Sequence, residues 1–188
     1  MYDRQAVAAL AGALVAFFAA TALGIIMVGT EPELGVQIVS FFREQLAGIF
    51  IDDVPSVLAF KIFVNNLGAC LLLFLGGASF GVVTITVLMF NGMVIGAILE
   101  VVRGQEGLLY VAAAILPHGI FEIPSFLLAG AFGLLLGQAL MMEWQGYGDA
   151  ADAARRLWSR FVRIVVPLLA IAAIVEAFIT PAVVHLLI

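Results

Sequence analysis

Residues 108–138 read LLYVAAAILPHGIFEIPSFLLAGAFGLLLGQ, and this stretch decides the class of the fold. His118, Glu122 and the hydroxyl of Tyr110 are its only side-chain groups that can ionise. A helix needs about 20 apolar residues to cross the hydrocarbon of a bilayer, so the stretch predicts a transmembrane helix. Because charge is costly in hydrocarbon, the pair His118 and Glu122 is also the first candidate for a functional site.

Composition extends this prediction to the whole chain. Of the 188 residues, 64% are hydrophobic and 11% are charged, whereas a soluble domain carries about 25% charged residues. The apolar runs are continuous, which predicts an all-α, polytopic bundle of transmembrane helices forming a single domain, residues 1–188, in the cell membrane. Membrane lipids are the expected surroundings, and the net charge of −5 does not favour nucleic acid as a partner.

The hydropathy pattern predicts about five passes. The fourth is longer than one straight pass needs, and it contains Pro117, Gly119 and Pro124. Each proline removes a backbone donor, so we expect this pass to be broken, either as one interrupted helix or as a re-entrant half-helix followed by a full helix. The predicted passes are Ala6–Val28, Val57–Leu75, Gly81–Leu99, Leu108–Gln138 and Val162–Val183.

Two connecting segments are amphipathic. Leu34–Phe50 and Asp149–Arg163 each place apolar side chains on one helical face and polar side chains on the other, which predicts two interfacial helices. The second segment is also the main cluster of cations. Because cytoplasmic loops are enriched in Lys and Arg, five passes place the N-terminus in the cytoplasm and the C-terminus outside. The residues that set this orientation are Arg4, Arg155, Arg156, Arg160 and Arg163.

His118 and Glu122 are spaced i, i+4 and therefore share a helix face. Three interpretations stay open: a hydrogen-bonded structural pair, a group that handles protons or ions, and a catalytic metal site. A metal site needs three or four protein ligands, and Glu176 and His185 are the remaining candidates. We therefore predict no metal and no cofactor, with His118 and Glu122 as weak candidates for metal ligands.

Other polar side chains lie at depth in the remaining passes, and we predict that they join His118 and Glu122 in one buried polar cluster. Amides in lipid must find partners, so they either hydrogen-bond between helices or ligate a substrate. Glu122 and Glu176 cannot both stay charged cheaply in a shared site: one is protonated, a cation lies between them, or they are far apart. The additional members are Lys61, Asn65, Asn66, Asn91 and Glu176.

Pairs of glycines four residues apart allow two helix backbones to approach closely. We expect them to serve tight packing within one chain rather than a seam between two chains. The pairs are Gly77 with Gly81, Gly92 with Gly96, and Gly133 with Gly137.

Several spaced features occur in a fixed order between residues 57 and 140. They are KIFVNNLGAC at 61–70, GGASFG at 76–81, Phe90-Asn91-Gly92, and Pro117-His118-Gly119-x-x-Glu122-x-Pro124. This set resembles the stage II sporulation protein M family of integral membrane proteins. The resemblance implies a five-pass architecture, with Asn65, Asn66, Asn91, His118, Gly119 and Glu122 as the matching motif residues. It also implies a role similar to that of the family's bacterial namesake, a scaffold that recruits peptidoglycan-degrading partners during engulfment.

Three classes of function remain open. The first is a non-enzymatic scaffold or complex component that binds membrane or cytoplasmic proteins. The second is a transporter or channel subunit with a midplane site at the broken fourth pass, and the third is a metal-dependent membrane enzyme. Soluble catalytic motifs such as a phosphate loop or His-Glu-x-x-His are missing from the sequence, so we predict no enzyme. We predict the scaffold, with the transporter as alternative. We also expect a homodimer, which would supply the duplicated halves that a transporter usually has.

Overall fold

The computed structural model describes residues 2–38, 40 and 54–187, and every regular element in these ranges is helical. The α-helices are α1 (Tyr2–Thr30), α2 (Pro55–Leu75), α3 (Val82–Trp144), α4 (Ala150–Arg160), α5 (Val166–Ile174) and α6 (Thr180–Leu187). A 3-10 turn, Gly76–Ser79, follows α2, and two π-helical turns, Phe161–Val165 and Val175–Ile179, link α4, α5 and α6.

The predicted all-α class is confirmed for the described ranges. Four helical segments there are long and apolar enough to cross a membrane. Their outward side chains are apolar too, with Val15 69%, Val82 65% and Leu186 84% exposed. In water such surfaces would drive association, whereas lipid chains cover them without cost. The segments are Arg4–Thr30, Pro55–Ser79, Val82–Trp144 and Ala150–Leu186.

Helix α3 is interrupted at Gly107. Its 63 residues would extend about 95 Å if straight, about three hydrocarbon thicknesses. Gly107 leaves the helical region with φ 84° and ψ 171°, a conformation that favours glycine because it has no Cβ. We call residues 82–106 the first arm of α3 and residues 108–144 the second arm. A Cβ placed on Gly130 would lie 2.9 Å from Leu88 Cδ1, and one on Gly133 would lie 2.7 Å from Thr84 Oγ1, so the two arms run antiparallel.

The break predicted at Pro117, Gly119 and Pro124 is not confirmed. The second arm continues as helix through both prolines. Hydroxyls and neighbouring helices can satisfy the backbone around a proline in a transmembrane helix, so a missing donor need not end it.

A short turn makes α2 and the first arm of α3 a helical hairpin. The 3-10 turn Gly76–Ser79 is followed by Phe80 and Gly81, which both have positive φ, 57° and 88°. The fully buried Thr84 donates its hydroxyl to the carbonyl of Leu73 at 2.9 Å, which ties the two helices together. The glycine-rich GGASFG sequence at 76–81 therefore forms a tight turn.

Glycines bring the helices to backbone contact within this chain. On the first arm of α3, a Cβ would collide with a carbonyl oxygen of α1 at both Gly92 and Gly96. On the second arm, a Cβ at Gly133 would collide with the Leu73 carbonyl, and one at Gly137 would lie 2.7 Å from Gly81 N. The prediction that these glycine pairs serve packing within one chain is confirmed.

The described parts of the two amphipathic segments are helical. Residues 32–38 form a helical stretch, and Ile38 packs beside Val28, Ala97 and Val101. The rest of the predicted helix Leu34–Phe50 lies largely outside the described residues. The segment Asp149–Arg163 contains α4, whose first turn is capped by the Asp149 carboxylate accepting from Asp152 N at 2.8 Å.

Candidate functional site

His118 and Glu122 lie on one face of the second arm of α3, well inside the helix. His118 Nε2 and Glu122 Oε2 are 3.8 Å apart, and the two side chains are 15% and 28% exposed. That separation is too long for a hydrogen bond. The pair is therefore a juxtaposition of an imidazole and a carboxylate with a gap between them.

Glu176 joins this pair from the last helical segment. It belongs to the π-helical turn Val175–Ile179. One ligand atom from each of His118, Glu122 and Glu176 lies within 4.8 Å of the other two. Single π-turns inside α-helices are often found at functional sites, because the extra residue changes the direction of the side chains. Of the three arrangements open for Glu122 and Glu176, the structure excludes the one in which they are far apart.

Thr180 is a member of the site that the sequence analysis missed. Its Oγ1 lies 3.4 Å from His118 Nδ1, and it donates a hydrogen bond of 3.3 Å to the carbonyl of Val175. Thr180 is 9% exposed. One signal was available: Thr180 follows Glu176 by four residues and therefore shares its helix face. We call His118, Glu122, Glu176 and Thr180 the His–Glu site.

The hydrogen bonds of the predicted amide members go to groups outside the His–Glu site. Asn91 is half-buried and donates to the Val87 carbonyl of its own helix at 2.9 Å. Asn65 is exposed, and its amide approaches Asn66 Oδ1 at 3.5 Å. Asn65 is therefore not buried within this chain as described, because no other described residues cover this face of α2. Lys61 is half-buried on the same helix.

The basic residues of α4 form a second distinctive surface. Arg155, Arg156, Arg160 and the following Arg163 are all exposed, and Arg156 forms an ion pair with Asp152. On the opposite face, Leu157 is 7% exposed and Phe161 is fully buried. The ring of Trp158 stacks on Phe161 with centroids 5.5 Å apart. We call these four arginines the arginine face.

Chemically, the His–Glu site can hold a cation or share a proton. It offers an imidazole nitrogen and two carboxylates from two helical segments that are far apart in sequence. The arginine face can bind anionic groups, because guanidinium groups form charge-assisted hydrogen bonds with carboxylates and phosphates. The site and the face are candidates for two separate tasks.

In the comparison with known proteins, the matching region includes both the His–Glu site and the arginine face. The model of the family described as Stage II sporulation protein M matches residues 13–181. The chain is also similar to a protein of Methanocaldococcus jannaschii named Uncharacterized protein MJ0793. The two are 30% identical over 124 residues, which is 64% of this chain and 70% of the relative. No solved structure gives a significant match.

Proposed function

Since this chain belongs to the stage II sporulation protein M family, we propose that it acts as a non-enzymatic membrane scaffold or complex component. The observation that carries the proposal is the arginine face, which is exposed on a helix whose other side is anchored in the core. Glycine-mediated backbone contacts between the helices make the bundle a rigid support. Cations presented on a rigid helix suit an acidic segment of a partner protein, since charge complementarity favours association and fixes its register.

We propose a five-pass topology formed by α1, α2, the two arms of α3, and the segment from α4 to α6. Contacts at one end of the bundle support it. Leu134 lies near both Gly12 and Gly81, which places the start of α1 beside the turn after α2. The rings of Phe80 and Trp144 are 5.7 Å apart at this end. Arg4 and the arginine face then share one side, which the positive-inside rule makes cytoplasmic.

The topology predicts which side of the membrane each end faces. A single cysteine replacing Arg156 is expected to react with an impermeant maleimide only from the cytoplasmic side, and one replacing the exposed Gln105 only from the outside. The native Cys70 is fully buried and gives little background. Mass-tagging of intact and inverted vesicles measures this. Labelling of both cysteines from the same side would refute the five-pass arrangement.

A second copy of the chain is the proposed neighbour of α2. The exposed face of this helix carries the amide of Asn65 and, three residues on, Gly68, which has open space around it. An amide facing lipid gains from an interhelical partner, and a glycine lets that partner come close. These two features support the proposed homodimer.

The scaffold proposal predicts protein partners at the arginine face. A photocrosslinking residue at the exposed Ala151 of α4 is expected to give a discrete protein adduct in native membranes. Replacing both Arg155 and Arg160 by Glu should lower the yield about tenfold or more, the effect of about 1.4 kcal/mol in binding. Val15, which is 69% exposed on α1 and lies outside the proposed dimer face, is the control position and should give lipid adducts only.

Two outcomes would contradict the scaffold. If Ala151 crosslinks only to lipid, the arginines bind headgroups rather than a protein. If purified protein in liposomes conducts protons or cations and Glu122→Gln abolishes the flux, the alternative of a transporter or channel subunit replaces it. The transporter alternative is supported by the close approach of His118, Glu122 and Glu176 within the membrane-embedded part of the bundle.

A further inference from the structure

We propose that the His–Glu site binds one divalent transition-metal cation through His118 Nε2 and the carboxylates of Glu122 and Glu176. This goes beyond the scaffold function and does not depend on it. It also revises the expectation of no metal, because the sequence alone did not show that the third ligand, Glu176, reaches the pair.

The distances between the ligand atoms suit a small cation. With metal–ligand bonds of about 2.0–2.2 Å, tetrahedral geometry separates two ligand atoms by about 3.4 Å. His118 Nε2 and Glu122 Oε2 are 3.8 Å apart, and one ring nitrogen of His118 and one carboxylate oxygen from each glutamate lie within 4.8 Å of one another. Small side-chain rotations would close the set around an ion.

Thr180 prepares the imidazole for a metal. Its hydroxyl donates to the Val175 carbonyl, so its oxygen lone pair is left to accept from His118 Nδ1–H. That arrangement places the proton on Nδ1 and leaves the Nε2 lone pair facing Glu122. Histidines that ligate metals usually donate their other ring N–H to an oxygen acceptor, which fixes the tautomer and the ring orientation.

Charge supports the same conclusion. Two ionised carboxylates close together in a low-dielectric bundle repel each other strongly. A divalent cation held between the two carboxylates offsets both charges. If His118 and Glu122 were only a hydrogen-bonded structural pair, the imidazole and the carboxylate would lie within hydrogen-bond distance. In the structure they are too far apart for that bond.

The donor set selects the class of metal. One imidazole and two carboxylates suit Zn²⁺, Mn²⁺ or Fe²⁺, whereas Cu(I) prefers sulfur and Mg²⁺ and Ca²⁺ prefer sites made of oxygen alone. Among divalent ions that prefer mixed nitrogen and oxygen ligands, Zn²⁺ binds tightly and is not redox active. It is therefore the probe for the test.

The test uses the full chain, purified in detergent and stripped with a chelator. Equilibrium dialysis with Zn²⁺, followed by elemental analysis, is expected to give one equivalent per chain. Glu176→Gln and His118→Ala should each weaken binding by about 100-fold or more, since loss of an outer-shell partner alone costs about 10–100-fold. His185→Ala and Glu143→Gln are the matched controls, because both side chains are exposed and lie outside the site, and they should leave the affinity unchanged.

A positioning role for Thr180 gives a finer readout. Thr180→Val should weaken Zn²⁺ binding about tenfold without changing the stoichiometry, and Thr180→Ser should restore it. X-ray absorption of the zinc-loaded wild-type protein keeps the proposal testable if a variant does not fold. The absorption spectrum is expected to show one imidazole ligand together with oxygen ligands.

Three results would overturn the site. The first is that the wild-type protein binds no stoichiometric Zn²⁺ at a millimolar concentration of the ion. The second is equal Zn²⁺ affinity in the wild type and in Glu176→Gln, and the third is sulfur or several imidazoles as ligands in the absorption spectrum. Because these measurements need no partner protein, a negative result would refute the metal site and leave the scaffold proposal unaffected.

Discussion

Gly96→Ala is expected to lower the free energy of unfolding by about 3 kcal/mol, at the upper end of the usual cost of overpacking. The added Cβ would collide with the carbonyl oxygen of Thr21 and would lie 2.9 Å from the Thr21 carbonyl carbon and 3.1 Å from Ile25 N. All three are backbone atoms of α1, so no side-chain rotation relieves the clash. The first arm of α3 must move away from α1 as a unit, and the neighbouring contact at Gly92 loosens with it.

Titration with SDS, followed by circular dichroism, measures this loss as a shift of the unfolding midpoint. Gly104→Ala is the matched control, since it lies on the same arm and has no heavy atom within 4 Å of its added Cβ. Alanine has the higher helix propensity by about 1 kcal/mol, so this control should be neutral or slightly stabilising. Equal destabilisation by both substitutions would contradict the close crossing of α1 and α3.

The class of the fold and its close helix crossings followed from the sequence because they depend on local patterns. Long apolar runs decide the helices, and glycines spaced by four residues are found at crossings such as the one at Gly96. The position of the break in α3 could not be predicted from the sequence. Pro117 and Pro124 carry the stronger local signal, but a helix tolerates a missing donor when its neighbours accommodate the bend. Gly107 adopts a conformation that only the arrangement of the two arms requires.

The candidate site was predicted in part for the same reason. His118 and Glu122 are linked by their spacing, which any helix preserves. The approach of Glu176 and Thr180 depends on the π-helical turn Val175–Ile179, and a π-turn has no local sequence signature that we could use. The exposure of Asn65 could not be predicted, because hydropathy gives the depth of this residue in the membrane but not the direction that its side chain faces.

Phe161→Ala is expected to destabilise the protein by about 3–5 kcal/mol, the usual cost of removing a buried aromatic ring. Phe161 is fully buried. Its ring lies 5.5 Å from that of Phe74 and stacks on Trp158 at the same distance, with an interplanar angle of 7°. Because the unfolded helices remain in detergent or lipid, the loss comes mainly from the cavity and from dispersion contacts.

SDS titration measures this loss of stability. Phe178→Ala is the control, since this residue of the same helical segment is 51% exposed and its substitution should change stability by under about 0.5 kcal/mol. A loss no larger than that of the control would mean that α4 does not anchor on α2 through this ring, and the arginine face would then lack its fixed support.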